Sequence, residues 1–455
     1  MLRRLDGEAF EQAFSILKVA DCIALLIILI TILDINAFLA FLGVSILAGL
    51  LLGIDTGHIT ASIQKGIGDM LGSLVIVIVS GAMLGKLVAE SGAAQRIASG
   101  MMYLFGERYI QWALVATGFI IGIPLFYNVG FVLVVPLIFS VAYRYNISAV
   151  YIGVPMLASL SVTHGFLPPH PSPSTLVAQF NADMGKTLMY GMLVAIPTVV
   201  VAGPIFARSL RRINAPLSKT FQSHSMPEDQ LPGLANSILS SLLPVILLTI
   251  TTVVTPMLAD DTIHKKIMIF LSDPITKNGT IVMIISLAIA TCTLGLNMGM
   301  NIKKIMNIYS DAVKDIAMML LIVSGAGAFK QILIDSGVSA QIGDMLDGLH
   351  VHPLVLGWAI ACVIRVCVGS ATVAGITAAG IMMPLMNRPD VNPSLMVLSI
   401  GAGSLMFSHV NDAGFWLFKE YFNLSIKDTI RSWSLMETVV AIVGLCSVLI
   451  LNVFV

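Results

Sequence analysis

Charge is what this sequence lacks. Only 11% of its 455 residues are Asp, Glu, Lys or Arg, against about 25% in an average soluble domain. So few charges cannot coat a soluble globule of this size, which argues against a cytosolic enzyme. The 25 basic and 25 acidic residues cancel, so no basic excess points to nucleic acid and no charged tail marks disorder. Cysteine is sparse too. Cys22, Cys292, Cys362, Cys367 and Cys446 stand singly in apolar runs, without the framework of disulfides or the spacing of a zinc or haem site. No GxSxG or HExxH string occurs, and Gly185-Lys186-Thr187 has Phe180 where a Walker A loop needs its first glycine. Hydrolytic and ATP-driven chemistry have no motif to rest on, and no cofactor or metal is expected.

Hydrophobic runs are what the sequence has instead. Hydrophobic residues make up 57% of the chain, and mean hydropathy is +0.93. Stretches 35–54, 109–143, 145–182, 230–259, 278–302, 391–411 and 438–455 contain no charged residue. A membrane helix takes about 20 mainly apolar residues, so 109–143 and 145–182 must each fold back or break. The pattern predicts an all-α polytopic membrane protein with about ten full spans. These lie near 19–33, 37–54, 73–90, 149–175, 187–208, 237–258, 278–297, 315–334, 393–424 and 434–454. Two re-entrant helical hairpins are expected at about 110–145 and 353–387. The polar stretch 209–236 reads as a linker between a first half, 1–208, and a second, 237–455.

The halves repeat one another. Residues 78–82 and 322–326 both read IVSGA, and Lys86 matches Lys330. Glu90-Ser91-Gly92 matches Asp335-Ser336-Gly337, Ser159-Leu160 matches Ser404-Leu405, and Thr163-His164 matches Ser408-His409. An odd number of crossings per half would make the repeats inverted in topology, the architecture of many secondary transporters.

Irregular backbone at membrane depth survives only where protein or a watery cavity satisfies it, so breaks point to a site. Four are expected, two in each half: at Ile123–Phe131, Thr163–Pro173, Val368–Gly375 and Phe407–Gly414. The second packs four prolines into six residues, which no continuous helix tolerates. It and the fourth make 149–175 and 393–424 broken helices. The fourth holds Asp412, and a carboxylate inside an apolar span faces a cavity or a partner. His164 and His409 occupy equivalent places, each beside a break. His170 is expected to follow the proline run to the surface. Arg365 reads equally as a snorkelling side chain and as a partner for an anion. Lys86 and Lys330 are assigned structural roles near helix ends.

Four strings carry a family resemblance: GIPLFYNVGFVLVVPL (122–137), GVPMLASLSVTHGFLPPHPSP (153–173), IRVCVGSATVAG (364–375) and SLMFSHVNDAGFWLFKEYF (404–422). With these, nearly the whole chain resembles the gluconate permease family, within the ion transporter superfamily. The resemblance implies uptake of gluconate or a related sugar acid with protons across a bacterial inner membrane. It also implies a fold of two inverted halves, each with a hairpin and a broken helix meeting at mid-membrane. Ala371 departs from the Ser-Asn-Thr tip of related carboxylate transporters, and Asn128 stands where many family members carry a carboxylate. Substrate is expected at Asn128, Gly130, His164, Gly165, Arg365, Ser370, Ala371, Thr372, Ser408 and Asn411. Proton coupling is expected at Asp412, tuned by His409, with His164 as second candidate. The expected partners are a small anion, protons, the bilayer and, as one option, a second copy in a homodimer. Sodium-coupled uptake of a small carboxylate, hydroxy acid or amino acid is the alternative, followed by an anion channel.

Overall fold

The computed structural model describes residues 2–455 except 126, 146, 214–225, 255–256, 259–262, 273–278, 339–340, 342–350, 389 and 410–411. Among the described residues every regular element is helical. The first half runs α1 (Leu2–Thr31), α2 (Ala37–Leu51), α3 (Thr56–Glu90), α4 (Ala93–Phe105), α5 (Ile110–Gly122), α6 (Tyr127–Tyr145), α7 (Ala149–Phe166), α8 (Pro171–Gln179) and α9 (Met184–Val200). The second runs α10 (Leu234–Val254), α11 (Ile263–Ser272), α12 (Thr280–Ala290), α13 (Ile302–Asp335), α14 (Pro353–Val368), α15 (Ala371–Met382), α16 (Pro393–Gly403), α17 (Ala413–Tyr421) and α18 (Leu435–Leu451). Polar residues hold several helix starts. Side chains of Asn36, Asp55, Ser148, Asp183, Asn301 and Asn392 each accept from a first-turn amide, meeting donors that have no carbonyl partner within the helix.

Seven helical stretches are long and apolar enough to cross a membrane: Thr56–Glu90, Ala149–Gln179, Met184–Leu210, Leu234–Val254, Thr280–Met298, Ile302–Asp335 and Ile426–Leu451. Shorter apolar helices occur at Ala37–Leu51, Pro353–Val368, Ala371–Met386 and Pro393–Gly403. Much of the expected linker, 214–225, lies outside the described residues. Where it resumes, Met226 is tied to Gln95 by two hydrogen bonds of 2.9 and 3.0 Å.

The most extensive helix pairing joins α3 to α13, the two helices that carry IVSGA. Their backbones nearly touch. A Cβ added at Gly66 would lie 2.3 Å from the Gly327 carbonyl oxygen, and one at Gly327 would lie 2.5 Å from that of Gly66. Small residues that let backbones approach are the usual basis of packing between apolar helices in lipid. Lys86 Nζ reaches Asp315 across the same pair at 2.9 Å, and Lys330 Nζ donates to the Gln179 carbonyl at 3.2 Å. Both helices end alike, on Ser91 and Ser336, each followed by a glycine at positive φ, Gly92 and Gly337.

Helix interruptions fall in all four regions named from sequence. α5 ends before Ile123–Leu125 and α6 begins at Tyr127. α7 stops at Phe166, and α8 starts at Pro171. α14 ends on Gly369, which at φ 77 takes the left-handed conformation open to glycine, and α15 starts two residues later. α16 gives way at Ser404 and α17 begins at Ala413.

Candidate functional site

These interruptions surround one cavity of about 400 Å³. Tyr127 reaches it from the start of α6, Ser161 and His164 from the last turns of α7, and Arg365, Val368 and Gly369 from the end of α14. Ser370, Ala371 and Thr372 line it at the start of α15, Asp412, Ala413 and Gly414 at the start of α17, and Trp433 and Glu437 at the entry to α18. Met319 and Leu405 complete the wall.

Its electrostatic centre is an ion pair. Arg365, only 4% exposed, directs Nη2 to Asp412 Oδ2 at 2.5 Å. Its Nη1 donates to the Gly369 carbonyl, and Nε has no partner among the described residues. An Arg in the last turn of α14 adjoins that helix's carbonyl end, where a cation is favoured. Asp412 is held from several sides. Its Oδ1 accepts from the Gly414 amide at 3.0 Å, which caps α17. Its Oδ2 also accepts from Ser408 Oγ. Ser408 is buried behind the wall, fixed by Trp433 Nε1 at 2.7 Å and by Ser434 Oγ, which donates to its carbonyl.

Two helix N-termini, those of α15 and α17, meet the cavity beside this pair. Free amides and the helix dipole favour an anion there. Ser370 Oγ accepts from the Val373 amide at 3.3 Å, so this hydroxyl serves as the cap of α15. Thr372 lines the cavity two residues further on. The opposite wall is aromatic and polar. The Tyr127 ring lies 5.9 Å from His164 and 6.0 Å from Trp433, centroid to centroid. His164 Nδ1 is buried without a partner among the described residues. Glu437 is 2% exposed. Ser161 Oγ donates to its Oε1 at 2.5 Å, and Oε2 has no partner among the described residues.

Of the residues named from sequence, the cavity gathers His164, Arg365, Ser370, Ala371, Thr372 and Asp412, with Ser408 directly behind. Gly165 serves packing, since a Cβ there would lie 2.6 Å from the Leu405 side chain. Gly130 is buried near Leu160. The side chain of Asn128, on α6, and the whole of Asn411 lie outside the described residues. His409 does not line the cavity; its Nε2 sits 2.9 Å from the Val366 carbonyl, and the carboxylate it was expected to tune pairs with Arg365 instead. His170 is buried rather than carried to the surface, its Nε2 2.7 Å from the Gly122 carbonyl. Sequence reasoning missed Tyr127, Ser161, Trp433 and Glu437. Two of these had a signal: Tyr127 lies inside the first expected break, and Glu437 is a carboxylate at the mouth of an otherwise charge-free run.

Comparison with known proteins places this sequence among permeases. The model of the GntP family permease matches residues 14–454. A high-affinity gluconate transporter of Escherichia coli K12 is 46% identical over 435 residues, 95% of this chain and 98% of that protein. The Gnt-II system L-idonate transporter of the same organism is 44% identical, covering 95% and 98%. A gluconate permease of Bacillus subtilis 168 is 42% identical, covering 96% and 99%. Among solved structures, the YdaH transporter of Alcanivorax borkumensis superposes with a TM-score of 0.66 at 15% identity, over 92% of this chain and 97% of that one. MtrF of Neisseria gonorrhoeae gives 0.67 at 13% identity, over 91% and 94%. Likeness at such low identity speaks to fold alone.

Proposed function

The chain belongs to the GntP permease family, and from that membership and its cavity we propose that it takes up a sugar acid of the gluconate type, with protons, by alternating access. It is a multi-pass membrane permease and not an enzyme; in a bacterium with two membranes its place is the inner one. The gluconate and idonate carriers among its relatives support the substrate class.

The observation that carries the reading is Arg365. A buried guanidinium, matched by a single carboxylate and set beside two helix N-termini, is what an anionic substrate requires. The substrate carboxylate takes the place of Asp412 on Arg365, whose planar fork suits a carboxylate. Asp412 is then the counter-ion that holds Arg365 ready when the cavity is empty. Thr372, Tyr127 and His164 offer hydroxyls and a ring nitrogen to a polyhydroxylated chain. The paired features of α3 and α13, and the two breaks in each half, support inverted repeats that rock about the cavity.

Uptake of labelled gluconate into proteoliposomes tests this. Accumulation above the external concentration is expected under an inward pH gradient, with collapse on adding an uncoupler. Equilibration without accumulation would indicate a channel, and accumulation that follows a sodium gradient instead would indicate the other coupling ion.

A further inference from the structure

A second carboxyl group faces the cavity, and the ion pair leaves it without a cation. We propose that Glu437 is the group that binds the transported proton, at its unpartnered oxygen Oε2. This rests on the reading of the chain as a proton-coupled carrier of an organic anion.

The charges within the cavity carry the argument. Arg365 contributes one positive charge, and Asp412, bonded to it at 2.5 Å, cancels that charge. Glu437 comes from another element, the start of α18, and its oxygens meet only Ser161 Oγ among the described residues. The other titratable groups facing this cavity are Arg365 and Asp412, which already pair, with Tyr127 and His164. Of the elements packed along α18, α16 carries no charged residue, α9 carries only Lys186, which is exposed, with Tyr190, α14 carries only Arg365, α7 carries His164 and Tyr151, and the turn 430–434 carries only Arg431, which is exposed. A buried charge without a partner is costly, and a proton removes it. Ser161 Oγ is a hydrogen-bond donor to Oε1, so the carboxyl is oriented with Oε2 left for the proton. An anionic substrate adds a further negative charge. With Glu437 ionised the loaded cavity would hold two unmatched negative charges, and with Glu437 protonated it holds one. Proton and anion therefore favour one another's binding, and by linkage the effect is reciprocal. That reciprocity is the coupling a symporter needs. The step is a simple protonation: one proton joins Oε2 on one side of the membrane and leaves it on the other, with no other bond made or broken.

The test uses purified protein in proteoliposomes and separates binding from coupling. Glu437→Gln keeps the shape and an oxygen for Ser161 but cannot titrate. Exchange of labelled for unlabelled gluconate, which needs no proton gradient, is expected to persist. Accumulation driven by an inward pH gradient is expected to fall roughly tenfold or more, the scale of a typical coupling between two ligands. The pH dependence of half-saturation is expected to flatten. Glu437→Asp, which retains a carboxyl, is expected to restore driven accumulation. A Glu437→Gln protein that accumulates like wild type with an unaltered pH profile overturns the proposal. Should that variant fail to insert, Glu437→Asp decides: a displaced pH midpoint for gluconate exchange supports the assignment, and an unmoved one overturns it. If wild-type protein itself ignores a pH gradient, the proton-coupled reading fails and takes this assignment with it.

Discussion

Arg365 and Asp412 show how much a single residue can say when charge is scarce. An ionisable side chain in an apolar stretch has few places to go, and both were legible in the sequence as candidates. Their pairing was not, because 47 residues separate them. Glu437, Ser161 and Trp433 were hidden for another reason. They sit on helices that read as ordinary spans or beside a break rather than in it. His409 misled through symmetry. It matches His164 in sequence, but α7 continues past His164 to Phe166 whereas α16 stops at Gly403, so His409 lies on the connecting segment. Two substitutions test the residue-level account. Thr372→Val keeps shape and loses a hydroxyl, and gluconate binding should weaken by about 1–2 kcal/mol, the worth of one neutral hydrogen bond. Unchanged affinity would remove Thr372 from the substrate's contacts. Asp412→Asn preserves the cap on α17 but frees Arg365 of its competitor. Normal insertion, tighter equilibrium binding by roughly tenfold and slower net uptake are expected. Weaker binding would show that Asp412 assists the substrate instead of yielding to it.

Elements were read more securely than residues. Four interruptions were placed from Pro, Gly and Asn clusters, because these residues act locally: proline removes a donor, and glycine admits backbone forms closed to others. Helix ends elsewhere depended on tertiary packing and shifted accordingly. The spans expected near 73–90 and 315–334 are the later parts of longer helices, Thr56–Glu90 and Ile302–Asp335. At the tip between α14 and α15, Gly369 holds φ 77, and its carbonyl accepts from Arg365. Gly369→Ala should cost about 1–2 kcal/mol, the penalty for a side chain in the left-handed region. The loss should appear as a lower melting temperature in detergent together with reduced gluconate affinity, since Arg365 is positioned by that carbonyl. A melting temperature and affinity both equal to wild type would show that the tip relaxes without disturbing the site.

At the scale of the whole molecule, composition alone indicated a membrane protein, and the four motif strings indicated the family. What composition could not supply was which helices meet. The α3–α13 pairing and the closing of the cavity by α18 join segments far apart in the chain, and hydrophobic runs carry no record of such contacts when every face is apolar. The central claim is that Arg365 binds the carboxylate of a sugar acid in this cavity. Equilibrium binding of labelled gluconate to purified wild-type and Arg365→Gln protein measures it most directly. The account predicts saturable binding that other sugar acids displace and uncharged sugars do not. It also predicts a loss of about 1.5–3 kcal/mol in the variant, the range for a hydrogen bond to a charged group. Equal affinity in the two proteins, or displacement by glucose as effective as by a sugar acid, would contradict it.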